Sequence, residues 1–345
     1  MATTAKPLPE LVRILSRPVL AQPMRDVALP LLARLDSAQQ LAVAQALAQC
    51  GVACWVTGHQ LTWTPLAQQA LQAAAAREMR RTMAATLQMQ SLVGTIVAQL
   101  GPVVLVFKGW AVEQWAYAPP LVRPCSDIDL LVRPDAQAAV AALLPKLGLR
   151  MHHQRVGAAH WLADDTAVDV HSAPIEPRRC PAFAQPQAVE ALFARAALCD
   201  GIAVVGAVDQ AALLLLHAAT GLGGDRRHLG DLAHWWHRAP VAPEPVAQTL
   251  ISWRAALPAV IVAHTVRDHS REAPPPALLA LIRLLPTPGW RADAATAAVG
   301  IARWRQPLHV ANPQWAEALV AASVWPEANW RLLGRALVSR WRRRH

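Results

Sequence analysis

Charge is scarce in this chain of 345 residues: Asp, Glu, Lys and Arg make up 16% of it, against about a quarter in an average soluble protein. Residues 37–76 and 82–107 carry none at all. Neither stretch reads as a membrane span. Repeated Gln, His59 and Pro65 interrupt the first, and Gln88, Gln90, Gln99 and the Gly101-Pro102 break interrupt the second, so both are expected as core helices and no integral membrane segment is expected. Glu10 and Arg13 fall before any apolar run of leader length, so no signal peptide is expected either. Cysteine is sparse and odd in number: Cys50, Cys54, Cys125, Cys180 and Cys199. That excludes a disulfide scaffold and fits a reducing, cytoplasmic setting. Cys50 and Cys54 sit one helical turn apart, but no second Cys/His pair has zinc spacing. There is no Walker A loop, no paired Cys-x-x-Cys and no Gly-x-Ser-x-Gly elbow, which removes the P-loop, zinc-ribbon and serine-hydrolase classes.

What remains is apolar and basic. Apolar residues are 54% of the chain, enough for a sizeable core. The net charge of +10 favours anionic partners: nucleotides, nucleic acid or an acidic membrane surface. Nucleic acid is the weakest of these, because only the basic tail at 338–345 speaks for it and no recognition motif accompanies it. Tryptophan is abundant, fourteen against one Tyr and three Phe. Trp110, Trp115, Trp235 and Trp236 can stack on a base, although inter-helix packing accounts for most such residues.

Along the chain, Leu, Ala, Val and Met recur at three- and four-residue spacing from 9 to 100, which predicts four or five helices, the last running from about Leu71 to Leu100. The texture then turns to short β-branched runs: Val103–Phe107, and Ile128–Val132 behind Asp127. A short helix is expected over Trp110–Ala116, and another from a cap at Asp135 to Leu147, closed by Gly148. Residues 158–163 and 167–171 read as a hairpin turning at Asp164-Asp165, and Ile202–Val205 as a further strand. Helical spacing returns over 208–220, 227–238, 245–266, 276–285 and 291–303, with more helix between 313 and 342.

Asp127 and Asp129 lie two apart in a strand, so both carboxylates leave one face while Ile128, Leu130 and Val132 take the other. Adjacent carboxylates at an apolar strand repel and lose solvation. A hard, oxygen-seeking divalent ion such as Mg²⁺ relieves both. Asp169, in Val168-Asp169-Val170-His171, supplies a third acid that a neighbouring strand can bring to the same face. Three carboxylates can hold two ions about 3.5–4 Å apart, the arrangement of in-line displacement at phosphorus. Lys108-Gly109 ends the preceding strand and opens a helix, where an ammonium, a helix N-terminus and a close backbone approach all favour phosphate.

Together, Leu105-Val106-Phe107-Lys108-Gly109-Trp110-Ala111, Arg123-Pro124-Cys125-Ser126-Asp127-Ile128-Asp129-Leu130-Leu131-Val132 and Val168-Asp169-Val170-His171 resemble the bacterial "uncharacterised nucleotidyltransferase" family of the DNA polymerase β-like superfamily. The resemblance is good from about 103 to 172. It extends more weakly to Leu215-Leu216-His217 and His228-Leu229-Gly230-Asp231-Leu232. It implies an α+β fold, a small mixed sheet flanked by N-terminal and C-terminal helical regions. It also implies Asp127, Asp129 and Asp169 as ligands of Mg²⁺ or Mn²⁺, and Arg123 and Ser126 beside the triphosphate of an NTP. The expected division is an N-terminal helical region at 1–100, a nucleotidyltransferase core at 101–206, a C-terminal helical region at 207–337 and the tail. Lys108-Gly109 departs from the superfamily's Gly-Ser turn, so either the phosphate turn works differently or Lys108 supplies the charge.

Accessory positions are more open. His171 shares the face of Asp169, where it either contacts phosphate, tunes Asp169 or is a hydrogen-bonded structural residue. His217 reads as a core histidine. Asp231 is expected to partner Arg227 or Lys108 near the acceptor, and Arg227 to bind a phosphate or the acceptor, or else simply to be solvated. The expected activity is NMP transfer from an NTP to an acceptor with release of pyrophosphate. The acceptor (small molecule, peptide, protein or RNA) and the base are not readable. The alternative is a non-catalytic nucleotide- or partner-binding module on the same fold.

Overall fold

A computed structural model of the chain describes residues 7–117, 122–125, 127–163, 166–177, 179–220 and 226–286. The expected helices beyond 291, the basic tail, Ser126 and the Asp164-Asp165 turn lie outside the described residues. Five helices precede the sheet: α1 (Pro7–Leu15), α2 (Gln22–Ala33), α3 (Ser37–Gln49), α4 (Ala53–Gly58) and α5 (Pro65–Leu100). With 36 residues α5 is about 54 Å long. Its Thr82, Ala85, Met89, Leu92, Val93 and Ile96 repeat at helical spacing and bury one stripe. It stops at Gly101, whose φ of +78° suits a residue without Cβ.

The mixed region contains β1 (Val104–Val106), α6 (Gly109–Ala116), β2 (Asp127–Val132), α7 (Gln137–Leu143), β3 (Arg150–Arg155), β4 (Ala158–Ala163), β5 (Thr166–His171), α8 (Pro186–Ala194), β6 (Ala197–Cys199) and β7 (Ile202–Val204). The strands form one seven-stranded mixed sheet in the order β3-β4-β5-β2-β1-β7-β6. β2 runs parallel to β5 and β1 parallel to β7, while the remaining pairs are antiparallel. Then follow α9 (Ala207–Thr220), α10 (Arg226–Arg238), α11 (Pro243–Ser252), α12 (Ala256–His269) and α13 (Pro276–Leu284). The α+β class expected from the sequence is the class observed.

Strand parity sends the two faces of the sheet into different cores. Val104, Val106, Ile128, Leu130, Val132 and Val168 pack on the second half of α5 and on α7. Leu105, Phe107 and Leu131 join a larger core that runs from Leu11 in α1 to Leu285 and holds the buried Leu residues of α9 and Trp235 and Trp236 of α10. The acids therefore lie on the face turned toward the C-terminal helices. Charged side chains also tie the two ends: Arg13 and Arg17 both donate to the His269 carbonyl and both reach Glu272. Among the described residues, no helix is long and apolar enough to cross a membrane.

Three expectations need correcting. The single helix at 245–266 is two, because Pro258 has no N–H to donate in a helix interior. The chain breaks at Trp253–Ala255, with Arg254 at φ +54°, and restarts so that Pro258 falls in the first turn of α12. Asp135 is not a helix cap: it sits inside a 3₁₀ turn at Pro134–Ala136 before α7 begins. That helix ends at Leu143, and Pro145 lies in a second 3₁₀ turn at Leu144–Leu147, which Gly148 closes at φ +84°. β3, β6 and α8 had no counterpart in the sequence reading.

Candidate active site

The registers bring the acids together. β2 and β5 pair with Asp129 directly beside Asp169, and Asp127 beside Ala167. Parallel neighbours in register present their side chains to the same face, so Asp127, Asp129, Asp169 and His171 share one surface. Asp129 is almost fully buried, and Asp127 and Asp169 are half-buried.

Two cationic or imidazole groups meet the same oxygen of Asp129. Lys108 Nζ donates to Asp129 Oδ1 at 2.7 Å, and His171 Nε2 lies 3.0 Å from it. Lys108 Nζ and His171 Nε2 are 3.4 Å apart. Burial alone would raise the Asp129 carboxyl, but the Lys108 charge and the hydrogen bond from His171 outweigh it and hold it well below the usual carboxylate range. Asp127 goes the other way: burial, then the nearby Asp129 charge, push its carboxyl up. Burial and the Lys108 charge lower His171 against the pull of Asp129. His217 of α9 is lowered by the same two causes.

Lys108 reaches Asp129 from an unusual backbone. Its φ of +52° and ψ of −127° lie outside the regions that L-residues prefer, at a cost of about 1–3 kcal/mol. Its N–H donates to Oε1 of the buried Gln210 at 3.2 Å. Gly109 follows where space is tight. A Cβ there would stand 2.8 Å from Cys125 Sγ and 3.3 Å from Arg123 Nη1, so the missing side chain lets the 123–125 segment pass against the start of α6.

Arg123 is committed to a buried ion pair. Its Nε and Nη2 donate to Asp231 Oδ2 of α10 at 3.1 and 2.9 Å, and Tyr117 Oη donates to Asp231 Oδ1 at 2.6 Å. Asp231 thus takes Arg123 and Tyr117, and Lys108 takes Asp129, whereas the sequence had assigned Asp231 to Arg227 or Lys108. Arg227, half-buried on α10, is close enough for its charge to act on Asp127. The His217 and His228 rings meet edge-on at 4.9 Å between α9 and α10.

One residue that matters was absent from the sequence reading. His160 Nδ1 lies 2.5 Å from Asp169 Oδ1, its place fixed because His160 and Asp169 pair across the β4–β5 hairpin. A hairpin turning at Asp164-Asp165 already implies that pairing, since the two residues are equidistant from the turn. A β-bulge between Met151 and His153 then turns His152 and His153 toward His160, with ring centroids 4.9–5.7 Å apart.

The donor set suits a hard divalent cation. Asp129, Asp169 and His171 offer ligand atoms within 4.8 Å of one another, two of the three being carboxylates, and Asp127 adds a third carboxylate on the same face. A family model described as "Uncharacterised nucleotidyltransferase" matches residues 31–270, a span that includes every residue of this site. No curated protein matches the chain.

Proposed function

We propose that this chain, which belongs to the uncharacterised nucleotidyltransferase family, moves an NMP group from an NTP to an acceptor and releases pyrophosphate. Membership supports the nucleotidyl-transfer role. The observation that carries the finer reading is the side-by-side register of Asp129 and Asp169, with Asp127 two residues earlier on the same face.

In this reading Asp127, Asp129 and Asp169 hold Mg²⁺ or Mn²⁺. A divalent ion bound there supplies charge neutralisation for the triphosphate and makes the acceptor oxygen a better nucleophile. The protein's own groups do the rest. Asp169 orients the acceptor hydroxyl and takes its proton, and His160 on its Oδ1 fixes that carboxylate's direction. Lys108 supplies positive charge where the sequence departs from the Gly-Ser turn. Arg227, whose charge acts on Asp127, and His217, which feels the Lys108 charge and packs on His228, are the further groups assigned to the phosphates of ATP or another NTP. Arg123 acts through packing: with Asp231 it pins the segment before β2 to α10. Ser126 completes the phosphate contacts in the family pattern. A cytoplasmic location fits an NTP substrate.

The test is pyrophosphate release from each NTP with Mg²⁺ or Mn²⁺, comparing wild type with Asp127→Asn and Asp169→Asn. Both variants should fold and lose turnover by at least about a hundredfold, the low end of what a general base contributes. Near-normal release from either removes the assignment. The competing reading, a nucleotide-binding module without catalysis, predicts Mg²⁺-dependent NTP binding and no pyrophosphate from wild type.

A further inference from the structure

The acid cluster already contains a cation that belongs to the chain. Lys108 Nζ sits 2.7 Å from Asp129 Oδ1 and 3.4 Å from His171 Nε2. The same oxygen of Asp129 is shared with His171 at 3.0 Å. Asp129 lies between Asp127, two residues earlier on β2, and Asp169, beside it on β5, and one of its two oxygens is already taken by both Lys108 and His171.

The ammonium is held there from several sides. The Lys108 backbone adopts a positive φ, just beyond the point where Phe107 N–H pairs with the Asp129 carbonyl. Its N–H is fixed by the buried Gln210. Its Nζ lies 4.8 Å from the centroid of the Phe107 ring, within cation–π range. Only about a tenth of the Lys108 side chain is exposed, so the group does not simply swing into solvent.

Charge points the same way. Asp127, Asp129 and Asp169 contribute three negative charges. One divalent ion and one ammonium balance them. In the nucleotide-free protein, two divalent ions beside the same ammonium leave an excess of two positive charges.

We infer that Lys108 stands in for one of the two cations expected of such a site, so that this chain binds a single divalent ion. The inference rests on the nucleotidyl-transfer reading above and fixes the ion count that the sequence had put at two. Lys108 then serves as a built-in positive charge rather than as a flexible phosphate contact.

The full chain titrated with MnCl₂, with free ion read from its electron paramagnetic resonance amplitude, tests this without turnover. Wild type should bind one ion per chain, and Asp169→Asn should lose it. Lys108→Met, which vacates the position, should bind two. Because Lys108→Met leaves the buried Asp129 with His171 alone as its partner, its fold is checked by circular dichroism with Mn²⁺ present, and the wild-type count stands whether or not the variant folds. Two ions in wild type, or one in a folded Lys108→Met, overturns the assignment. If wild type binds two ions and still releases pyrophosphate, only the Lys108 role fails. If neither protein binds any ion up to millimolar Mn²⁺, the metal-dependent reading of the site fails with it.

Discussion

Removing the carboxylate of Asp231 tests whether Arg123 is architecture. In Asp231→Ala the guanidinium of Arg123, 5% exposed, keeps its charge and loses its counter-ion. Breaking a buried pair from one side costs about 3–5 kcal/mol. Tyr117 Oη also loses its acceptor, which adds about 1 kcal/mol. The sum, about 4–6 kcal/mol, is comparable to the whole stability of many domains, about 5–15 kcal/mol. Urea unfolding followed by Trp fluorescence and circular dichroism should therefore show a large fall in the midpoint. Arg123→Met combined with Asp231→Leu removes both charges and should recover most of the loss, because two apolar groups replace a pair whose desolvation was already expensive. A loss of under about 1 kcal/mol for Asp231→Ala, or strict additivity in the double variant, refutes the argument. Arg123 as a direct triphosphate ligand forecasts the opposite pattern: little change in stability and a clear loss of NTP affinity.

Burial pushes His59 and His234 down to about 4, against the opposing hydrogen bonds to backbone carbonyls. Their folded values lie below the unfolded one, near 6.5, so as pH falls the unfolded chain takes these protons first. Stability should drop between about pH 6.5 and 4 by about 1.4 kcal/mol per pH unit for each residue, and His59→Gln or His234→Gln should flatten that slope in urea melts. An unchanged slope rejects the burial argument. Gly109→Ala forces a methyl to 2.8 Å from Cys125 Sγ; overpacking of that kind costs about 1–3 kcal/mol, and a thermal melt equal to wild type would show that the segment simply moves aside. Chelation with EDTA should abolish pyrophosphate release and added Mg²⁺ or Mn²⁺ restore it, while a metal-independent rate contradicts the carboxylate assignment.

The legible parts of this fold are those whose side chains alternate or repeat. Val104–Val106 and Asp127–Val132 read as strands because they are β-branched and buried on both faces, and α5 announces itself by its apolar stripe. β3 does not: Arg-Met-His-His-Gln-Arg is an edge strand whose residues 150–154 are exposed, carried by pairing to β4 rather than by burial. The acids of the candidate site were visible because strand parity puts Asp127 and Asp129 on one face. Which strand brings Asp169 to them depends on sheet order, a long-range property that no local pattern encodes. The partners of Arg123 and Lys108 were hidden for the same reason, since Asp231 lies 108 positions from Arg123 and Asp129 lies 21 from Lys108.

The core shared by α1 and α13 has a consequence for synthesis. Leu11, Ile14 and Leu15 belong to the same core as Ile261, Leu278 and Leu281, and Arg13 and Arg17 wait for the His269 carbonyl. A ribosome adding about 5–20 residues per second needs roughly 13–54 s to travel from one group to the other. Throughout that interval Arg13 and Arg17 lack the acceptors that anchor the end of α1, which makes the nascent chain a client for holding chaperones. Arrested chains ending before α12 should remain open to protease in α1, and chains released past α13 should not.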